Sequence, residues 1–417
     1  MNNSDIKVSV IMPIYNAYDY LRPAMDSVID QTLREIEIIC VDDGSTDHSL
    51  DILKEYQKND DRIRIVTETN AGPALARNNG IRRARGEYLA FLDADDFFDL
   101  SLLETLYNTA KEKDLDIAIA DYDIYNSRKA SFDKAAPSEY ENIFKNGAVT
   151  SKSEYPEQIL MSTNGAAWNK LFRRSFVLDK NLVFLPDAKM HEDVYFVMTA
   201  MAFAERVAKV EGTTIHHRIY SEQSRAKLFR KHFDKVPEVY VKIKEFLTQH
   251  GIYAPLSSAF INLSADRCYK VYNILAPDEK EDFWNLLRNK YSELLGWHGR
   301  AAEDFYEITV CEFVANLEMY DYKQFKRRPT KTEGTHHKRL SQMFRMAKNR
   351  KKIRNFFGKI FGSKKIKKTD FRGDFIFAPC FFVFNGKKIN IFFHICKTAS
   401  FSAKMLEKIT KNKELFL

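Results

Sequence analysis

Residues 88–96 read Tyr88-Leu89-Ala90-Phe91-Leu92-Asp93-Ala94-Asp95-Asp96, so three carboxylates follow directly on five apolar residues. The apolar run predicts a buried β-strand, and the acids then lie just beyond its carboxyl end. Ligands of open α/β sheets bind at that edge. A few carboxylate oxygens suit Mg2+ or Mn2+ that takes its other ligands from substrate phosphates. An isolated acidic pair can equally cap a helix, here the one predicted to begin at residue 100.

The segments around this stretch alternate between short apolar runs and amphipathic runs. The apolar runs predict strands at residues 7–12, 36–41, 62–66, 88–92, 116–120 and 213–219. Helical periodicity predicts helices at residues 18–31, 47–58, 73–83 and 100–111, with two more near residues 156 and 192. Strands that alternate with helices of this length indicate a mainly parallel sheet with helices on both faces. The sequence therefore predicts an α/β domain over residues 1–227.

The character of the chain changes after residue 228. Amphipathic helices are predicted at residues 236–249, 257–274, 280–295 and 302–319, which together form an all-α accessory region over residues 228–325. A basic segment follows over residues 326–370, and a Phe-rich segment of unknown role covers residues 371–417. Within the last segment, Asn385-Gly386 between apolar runs predicts a β-hairpin.

Composition excludes several classes of protein. Hydrophobic residues make up 45% and charged residues 29% of the 417 residues, as in ordinary globular chains. The five cysteines include no CxxC pair, which argues against a disulfide framework or a zinc knuckle and favours a reducing compartment. The longest apolar run, residues 375–384, is about half of the ~20 residues that a spanning helix needs. With no secretory pattern at the start, we expect a cytoplasmic protein.

The basic segment has a pattern of its own. Residues 323–368 contain 18 Lys and Arg against one acid, although the whole chain has a net charge of +8. Apolar residues at helical spacing run through residues 338–362, so this stretch predicts an amphipathic helix that lies on an anionic membrane surface. Alternatively, the apolar stripe packs on the helical region and the charges are solvated. Nucleic acid is not an expected partner, because no recognition motif accompanies the charge.

Four motifs occur in a characteristic order in the first half of the chain. They are Val8-Ser9-Val10-Ile11-Met12-Pro13-Ile14-Tyr15-Asn16, Val41-Asp42-Asp43-Gly44-Ser45-Thr46-Asp47, Asn70-Ala71-Gly72-Pro73-Ala74-Leu75-Ala76-Arg77-Asn78-Asn79-Gly80 and Asp93-Ala94-Asp95-Asp96. Each alone is a weak signal, but together the first 225 residues or so resemble the family 2 glycosyltransferases. The resemblance implies the GT-A fold, a Rossmann-like mixed and mainly parallel sheet, and a divalent cation, Mn2+ or Mg2+, as cofactor.

The resemblance also implies roles for individual residues on the donor side. The residues expected to bind the nucleotide sugar are Pro13, Tyr15, Asn16, Asp42, Arg77 and Asp93. Asp95 is the expected metal ligand, and His217 is a candidate to complete the metal shell. His216, beside it, competes for that role. Arg218 and Ser224 are candidates for contact with the diphosphate.

Two later motifs resemble the acceptor-side elements of the family. They are Ala167-Trp168-Asn169-Lys170-Leu171-Phe172 and His191-Glu192-Asp193-Val194-Tyr195-Phe196. The resemblance implies that Asp193 is the catalytic base and that Trp168 and Glu192 lie on the acceptor side. From residue type alone, Trp168 could be a core aromatic, and the acidic pair could be a solvated first helical turn favoured by the helix dipole.

The expected activity follows from this resemblance. It is transfer of a hexosyl or N-acetylhexosaminyl group from a nucleotide sugar, a UDP-sugar, to a glycan or lipid-linked glycan, with inversion, in surface-polysaccharide assembly. One base and no covalent intermediate give inversion. A nucleotidyltransferase would need a Gly-rich phosphate loop, which residues 12–16 lack. The remaining alternative is a catalytically inactive glycan- or membrane-binding protein that retains the fold.

Overall fold

The computed structural model of the chain describes residues 6–138, 140–188, 190–219 and 232–327, together with the backbone of residues 384–385 and 388–389. The chain divides into two compact units, Met1–Asn349 and Arg350–Leu417. In the second unit, β10 (Phe384–Asn385) and β11 (Lys388–Ile389) pair antiparallel, which confirms the predicted hairpin. The membrane-binding stretch predicted at residues 338–362, and Ser224, lie outside the described residues.

A nine-stranded sheet forms the centre of the first unit. Its strands are β1 (Val8–Ile14), β2 (Ile36–Asp42), β3 (Ile63–Thr67), β4 (Tyr88–Phe91), β5 (Phe97–Phe98), β6 (Ile117–Asn126), β7 (Ser131–Lys134), β8 (Lys170–Arg173) and β9 (Val207–Ile219). The strand order is β3-β2-β1-β4-β8-β6-β9-β5, and β7 pairs with β6.

The sheet is mixed, as expected, but its two halves differ. The strands β3, β2, β1 and β4 are parallel, whereas β8 runs antiparallel to both β4 and β6. The expected mixed, mainly parallel sheet is confirmed, because the long strands β6 and β9 also pair in parallel, while the antiparallel pairs of β8, β7 and β5 are short. Strands β5 and β7 are only two and four residues long, which is too short for a periodic pattern to show in the sequence.

Helices cover both faces of the sheet, which confirms the α/β prediction. Their bounds are α1 (Tyr18–Ile29), α2 (Ser49–Gln57), α3 (Pro73–Arg83), α4 (Leu102–Glu112), α5 (Arg174–Asp179) and α6 (Glu192–Phe203). The helical region contains α7 (Val236–Gln249), α8 (Tyr253–Ile274), α9 (Pro277–Leu286), α10 (Ser292–Leu294), α11 (Ile308–Met319) and α12 (Tyr322–Arg327). Within the described residues, no helix combines the length and apolar character needed to cross a membrane.

Two continuous cores lie on opposite faces of the sheet. One packs beneath α1, α2 and α4 through residues such as Leu21, Leu53 and Leu103. The other includes Phe196 of α6 and runs without a break into the helical region, where Tyr240 and neighbouring apolar residues belong to it. The helical region therefore shares its core with the sheet, and the domain boundary expected near residue 228 stays a prediction.

The helices of the first unit depart from the sequence prediction in three places. Near residue 156 a short 3-10 turn, Ile159–Met161, replaces the expected helix. The helix predicted at residues 280–295 passes through a π-helical turn, Leu287–Tyr291. The helix predicted at residues 302–319 begins only at Ile308, because the preceding backbone is extended and the Tyr306 amide donates to Asn262 Oδ1 (2.7 Å). A tertiary hydrogen bond there overrides local propensity.

Close packing of α3 on β1 gives a test of the fold. A Cβ atom on Gly80 would lie 2.3 Å from Cγ2 of the buried Ile11, so Gly80→Ala must displace a packed core side chain. We expect a loss of about 1–2 kcal/mol, because overpacking outweighs the ~1 kcal/mol gain in helix propensity. The urea midpoint measures it, and the control Arg82→Ala on the exposed face of α3 should change it little. An unchanged midpoint for Gly80→Ala would contradict this packing.

Candidate active site

The turns after β1 and β2 interlock at the carboxyl edge of the sheet. Asn16 has a positive φ of 49°, which asparagine tolerates better than most residues. Its backbone amide donates to Ser45 Oγ (3.2 Å), and its side-chain oxygen accepts from the Thr46 amide (2.8 Å). Tyr15 next to it is 51% exposed, and Pro13 is half-buried. The first two motifs thus form one surface, on which Tyr15 and Asn16 are accessible to a ligand.

Two consecutive aspartates after β2 have different roles in the fold. Asp42 is buried, and its carboxylate accepts a long hydrogen bond from the Ser45 amide (3.4 Å). Asp43 accepts hydrogen bonds from the backbone amides of Ala71 (2.7 Å) and Gly72 (2.8 Å). Asp43 therefore holds the loop in front of α3. The sequence did not reveal this role, because an aspartate in a local turn and an aspartate that binds a distant loop have the same local sequence pattern. The contact of Asp42 with a nucleotide base stays a prediction.

Arg77 of α3 joins two parts of the site. Its Nη2 atom lies 2.6 Å from Asp93 Oδ1, and its Nη1 atom lies 2.9 Å from Glu192 Oε1. The Arg77 side chain is 8% exposed. Burial alone would lower the pKa of Arg77, but the charges of Asp93 and Glu192 raise it above its ordinary value. Its described partners are therefore protein carboxylates, and its expected contact with a nucleotide stays a prediction.

The acids that follow β4 separate into exposed and buried groups. Asp93 and Asp95 are partly exposed, whereas Asp96 is fully buried. Asp96 accepts from the Arg218 amide (2.8 Å) and contacts His217 Nδ1 (3.0 Å), and burial raises the pKa of Asp96 to about 6 despite that histidine. Helix α4 starts at Leu102 with its N-cap at Ser101, so the helix-cap alternative for the acidic pair is wrong.

The two histidines of β9 point to different partners. His217 stacks on Trp168 with ring centroids 5.1 Å apart and an interplanar angle of 9°, and its Nδ1 atom faces Asp96. His216 lies between Asp99 (3.0 Å from Nε2) and Asp123 (2.7 Å from Nδ1). His217 therefore contacts the turn formed by residues 93–96, which we call the acidic turn, whereas His216 contacts Asp99 and Asp123.

Arg218 is fixed beside the acidic turn. Its Nε atom donates to the Asp95 carbonyl oxygen (2.8 Å), and its guanidinium lies 5.2 Å from the ring centroid of Phe97 and 5.0 Å from that of Tyr125. Cation–π contacts of this kind hold a guanidinium in place without neutralising it. The expected contact of Arg218 with the diphosphate stays a prediction.

The donor set fits a divalent ion that takes most of its ligands from substrate. Among residues 6–138, 140–188, 190–219 and 232–327, no group of three or more His, Cys, Asp and Glu side chains is placed to hold a metal ion. Mg2+ commonly uses one or two carboxylates together with substrate phosphates, which the partly exposed Asp95 can serve. His217 has its Nδ1 atom on a carboxylate, an arrangement that orients histidine ligands of metals.

The acceptor-side motif places an unusual carboxyl at the start of α6. Asp193 Oδ1 accepts from the Val194 amide (2.7 Å), and the side chain is partly accessible although protein atoms surround it closely. Burial, followed by the charge of Glu192, raises the pKa of Asp193 to about 7, while Arg77 opposes the increase. A carboxyl that titrates near neutral pH is suited to accept a proton from a hydroxyl.

Lys170 at the start of β8 is a further polar group of the site. Its ammonium is fully buried and bonds to oxygens of Asn164, Ala166 and Asn169. Sequence reasoning did not select it. The available signal was a lysine directly before the apolar pair 171–172, within the motif at residues 167–172.

The raised pKa of Asp193 predicts a pH-dependent effect on stability. Its unfolded value is near 3.8 and its folded value about 7, so the folded state favours the neutral acid, and stability falls as pH rises between these values. Asp193→Asn should therefore stabilise the protein by about 2 kcal/mol at pH 8 and by less at pH 5. Thermal unfolding at both pH values measures the effect, with the exposed Asp51→Asn as control. An equal effect at both pH values would contradict the assignment.

The Arg77 ion pairs predict a large loss of stability. Arg77→Met leaves Asp93 and Glu192 without their common cation, and we expect a loss of roughly 3 kcal/mol. This is the lower end of the range for a broken buried pair, because Asp93 keeps some contact with solvent. Denaturant unfolding measures the change against Arg82→Met on the same helix. A loss no larger than that of the control would show that the bridge contributes little.

Comparison with known proteins identifies the family. The model of "Glycosyl transferase family 2" matches residues 9–176. The glycosyltransferase GlyA of Streptococcus pneumoniae serotype 4 is 34% identical over 217 residues, which are 52% of this chain and 31% of GlyA. The uncharacterized glycosyltransferase YibD of Escherichia coli (strain K12) is 31% identical over 256 residues, 58% of this chain and 72% of YibD. This chain thus spans under a third of GlyA but most of YibD.

A solved structure agrees with this match. The crystal structure of S. aureus TarS 1-349 in complex with UDP-GlcNAc has a TM-score of 0.59 and 21% sequence identity, and the match covers 76% of this chain and 90% of that one. This likeness confirms the expected GT-A-like α/β fold followed by a helical region. The match of the family model, together with the 31% identity to YibD over 72% of that protein's length, shows that the chain belongs to the family 2 glycosyltransferases.

Proposed function

We propose that this chain transfers a sugar from a UDP-sugar to a hydroxyl of a glycan or lipid-linked glycan, with inversion of the anomeric centre. The observation that carries the proposal is the Arg77 bridge, which ties Asp93 on the donor side to Glu192 beside Asp193. A leaving group and a base must lie on opposite sides of one sugar for direct displacement. The bridge holds the candidate groups for both tasks in one site.

On the donor side, the interlocked turns at Asn16 and Asp42 would receive the nucleoside, and Asp93 would contact the ribose. The UDP-GlcNAc in the TarS complex supports a uridine donor. Asp95 and His217 would hold the divalent ion, which when bound neutralises negative charge on the departing diphosphate. Arg218 would add a positive charge that its contacts with Phe97 and Tyr125 hold in place.

On the acceptor side, Asp193 would remove the proton from the attacking hydroxyl. Its pKa of about 7 makes it a stronger base than an ordinary aspartate while leaving much of it ionised at neutral pH. Trp168 would support the acceptor sugar with its half-buried ring. Since no nucleophilic side chain intervenes in this scheme, the acceptor oxygen displaces the diphosphate directly and the configuration inverts.

The acceptor class and location follow from the same proposal. A hexosyl or N-acetylhexosaminyl donor and a glycan-based acceptor fit the family. The basic residues 338–362 would bring the protein to an anionic membrane surface, where a lipid-linked acceptor resides. An inactive binding protein would have no use for a carboxyl with the raised pKa of Asp193, so we favour the enzyme.

Asp193→Asn tests the proposed base. We expect the transfer rate from UDP-GlcNAc to fall by about 10²–10⁴-fold, because an amide cannot accept the proton, while donor affinity by calorimetry stays near the wild-type value. In the wild type, kcat/KM should rise with pH through an acid limb near pH 7. Asp51→Asn on α2 is the matched control. Full transfer activity in Asp193→Asn would exclude Asp193 as the base.

Asp95→Asn tests the donor side separately. We expect this variant to lose the dependence of UDP binding on Mn2+, because it removes the proposed carboxylate ligand. Calorimetric titration with and without Mn2+ measures that dependence. If the wild type binds UDP equally well in both conditions, the proposed metal site is wrong.

A further inference from the structure

Lys170 has a buried ammonium group to which the proposed function assigns no role. Its Nζ atom lies 3.2 Å from the Asn164 carbonyl oxygen, 2.8 Å from Asn164 Oδ1, 2.7 Å from the Ala166 carbonyl oxygen and 2.8 Å from Asn169 Oδ1. All four partners are neutral oxygens, and among the described residues no carboxylate forms an ion pair with this ammonium. A buried ammonium without an ion-pair partner is costly, so its four hydrogen bonds must offset much of that cost.

The oxygens around Lys170 all belong to one loop, residues 164–169, which we call the acceptor loop. One end packs against α6, because a Cβ atom on Gly165 would lie only 2.7 Å from Val194 Cγ2. The other end is fixed to the sheet by a hydrogen bond from Asn169 Nδ2 to the Ala120 carbonyl oxygen (3.0 Å). Trp168 projects from the loop and stacks on His217 at 5.1 Å. At one end the acceptor loop therefore contacts Val194, the neighbour of Asp193, and Trp168 contacts His217, which lies against Asp96.

The charge of Lys170 also acts on the proposed base. Burial lowers the pKa of Lys170 to about 7, and the charge of Asp193 opposes that decrease. Because electrostatic attraction is mutual, the ammonium favours the ionised form of Asp193 in return. The other groups that act on Asp193 are Glu192, Arg77, Asp93 and the Tyr240 phenol, while His191 and Arg267 interact with each other nearby.

We propose that Lys170 is a positioning residue of the transfer reaction, whose ammonium gathers the acceptor loop so that Trp168 and the Asp193 end of α6 keep their places around the acceptor sugar. This role rests on the proposed function and extends it to a residue that touches neither donor nor acceptor. A loop of six residues with two asparagines and a glycine has little order of its own, since its side chains compete with its backbone for hydrogen bonds. A central cation that binds three of its residues supplies that order.

Two variants separate the charge of Lys170 from its hydrogen bonds. Lys170→Met removes both, whereas Lys170→Gln removes the charge and keeps two of the three N–H donors on a side chain one atom shorter. Lys111→Met, which breaks an exposed ion pair with Glu87 far along the chain, is the matched control. The protein contains three tryptophans, so incorporation of 5-fluorotryptophan gives three 19F resonances, of which Trp168→Phe identifies one.

We expect Lys170→Met to broaden or shift the Trp168 resonance while the signals of the buried Trp284 and Trp297 stay in place. Its kcat should fall by about 10²-fold and its acceptor KM should rise, because misplacement by an ångström can cost that much. The Kd for UDP-GlcNAc should not change. In Lys170→Gln the Trp168 resonance should return toward the wild type, but the acid limb of kcat/KM should lie at higher pH, since Asp193 has lost a nearby cation.

Two results would contradict the positioning role of Lys170, and a third would contradict the proposed function. If Lys170→Met folds and its Trp168 resonance, acceptor KM and kcat all match the wild type, the positioning role is overturned. A fall in thermal stability alone, with those three readouts unmoved, would likewise show that Lys170 only supports the fold. If the wild type has no transfer activity, the proposed function fails, whereas the 19F spectra still test whether Lys170 holds the acceptor loop.

Discussion

The buried guanidinium of Arg77 holds this site together. It binds Asp93 after β4 and Glu192 at the start of α6, two residues that lie 99 positions apart in the chain. Each carboxylate would repel the other at this distance without a cation between them. The two ion pairs therefore hold the turn after β4 beside the start of α6. Because α3 packs closely on β1 through Gly80, the cation itself sits on a rigid element.

Three titratable groups near the Arg77 ion pairs have shifted pKa values. Burial raises the pKa of Asp96 and of Asp193, and it lowers the pKa of Lys170. Each is a cost to the folded state, and such costs concentrate where a protein needs chemistry more than stability. The three groups differ in use. Asp96 binds β9 through Arg218 and His217, Lys170 binds the loop of residues 164–169, and Asp193 stays partly accessible.

The helical region contributes to the site through the shared core. Helix α6, which carries Asp193 at its first turn, is buried over most of its length between the sheet and α7. The ring of Tyr195 packs against Phe246 of α7 at 6.0 Å. The helical region thus supports the acceptor side of the site from behind, which explains why the sheet and the helices share one hydrophobic core.

The sequence by itself determined the α/β fold, the order of the first strands and helices, and the candidates Asp42, Asp93, Asp95 and Asp193. It could do so because apolar periodicity and turn chemistry are local, and because the four motifs occur in a fixed order. Only the tertiary structure decided which contacts each of two adjacent residues makes. It assigned His217 and not His216 to the acidic turn, made Asp96 an anchor, and gathered a loop around Lys170. These choices depend on partners that lie far apart in the chain, which no local pattern records.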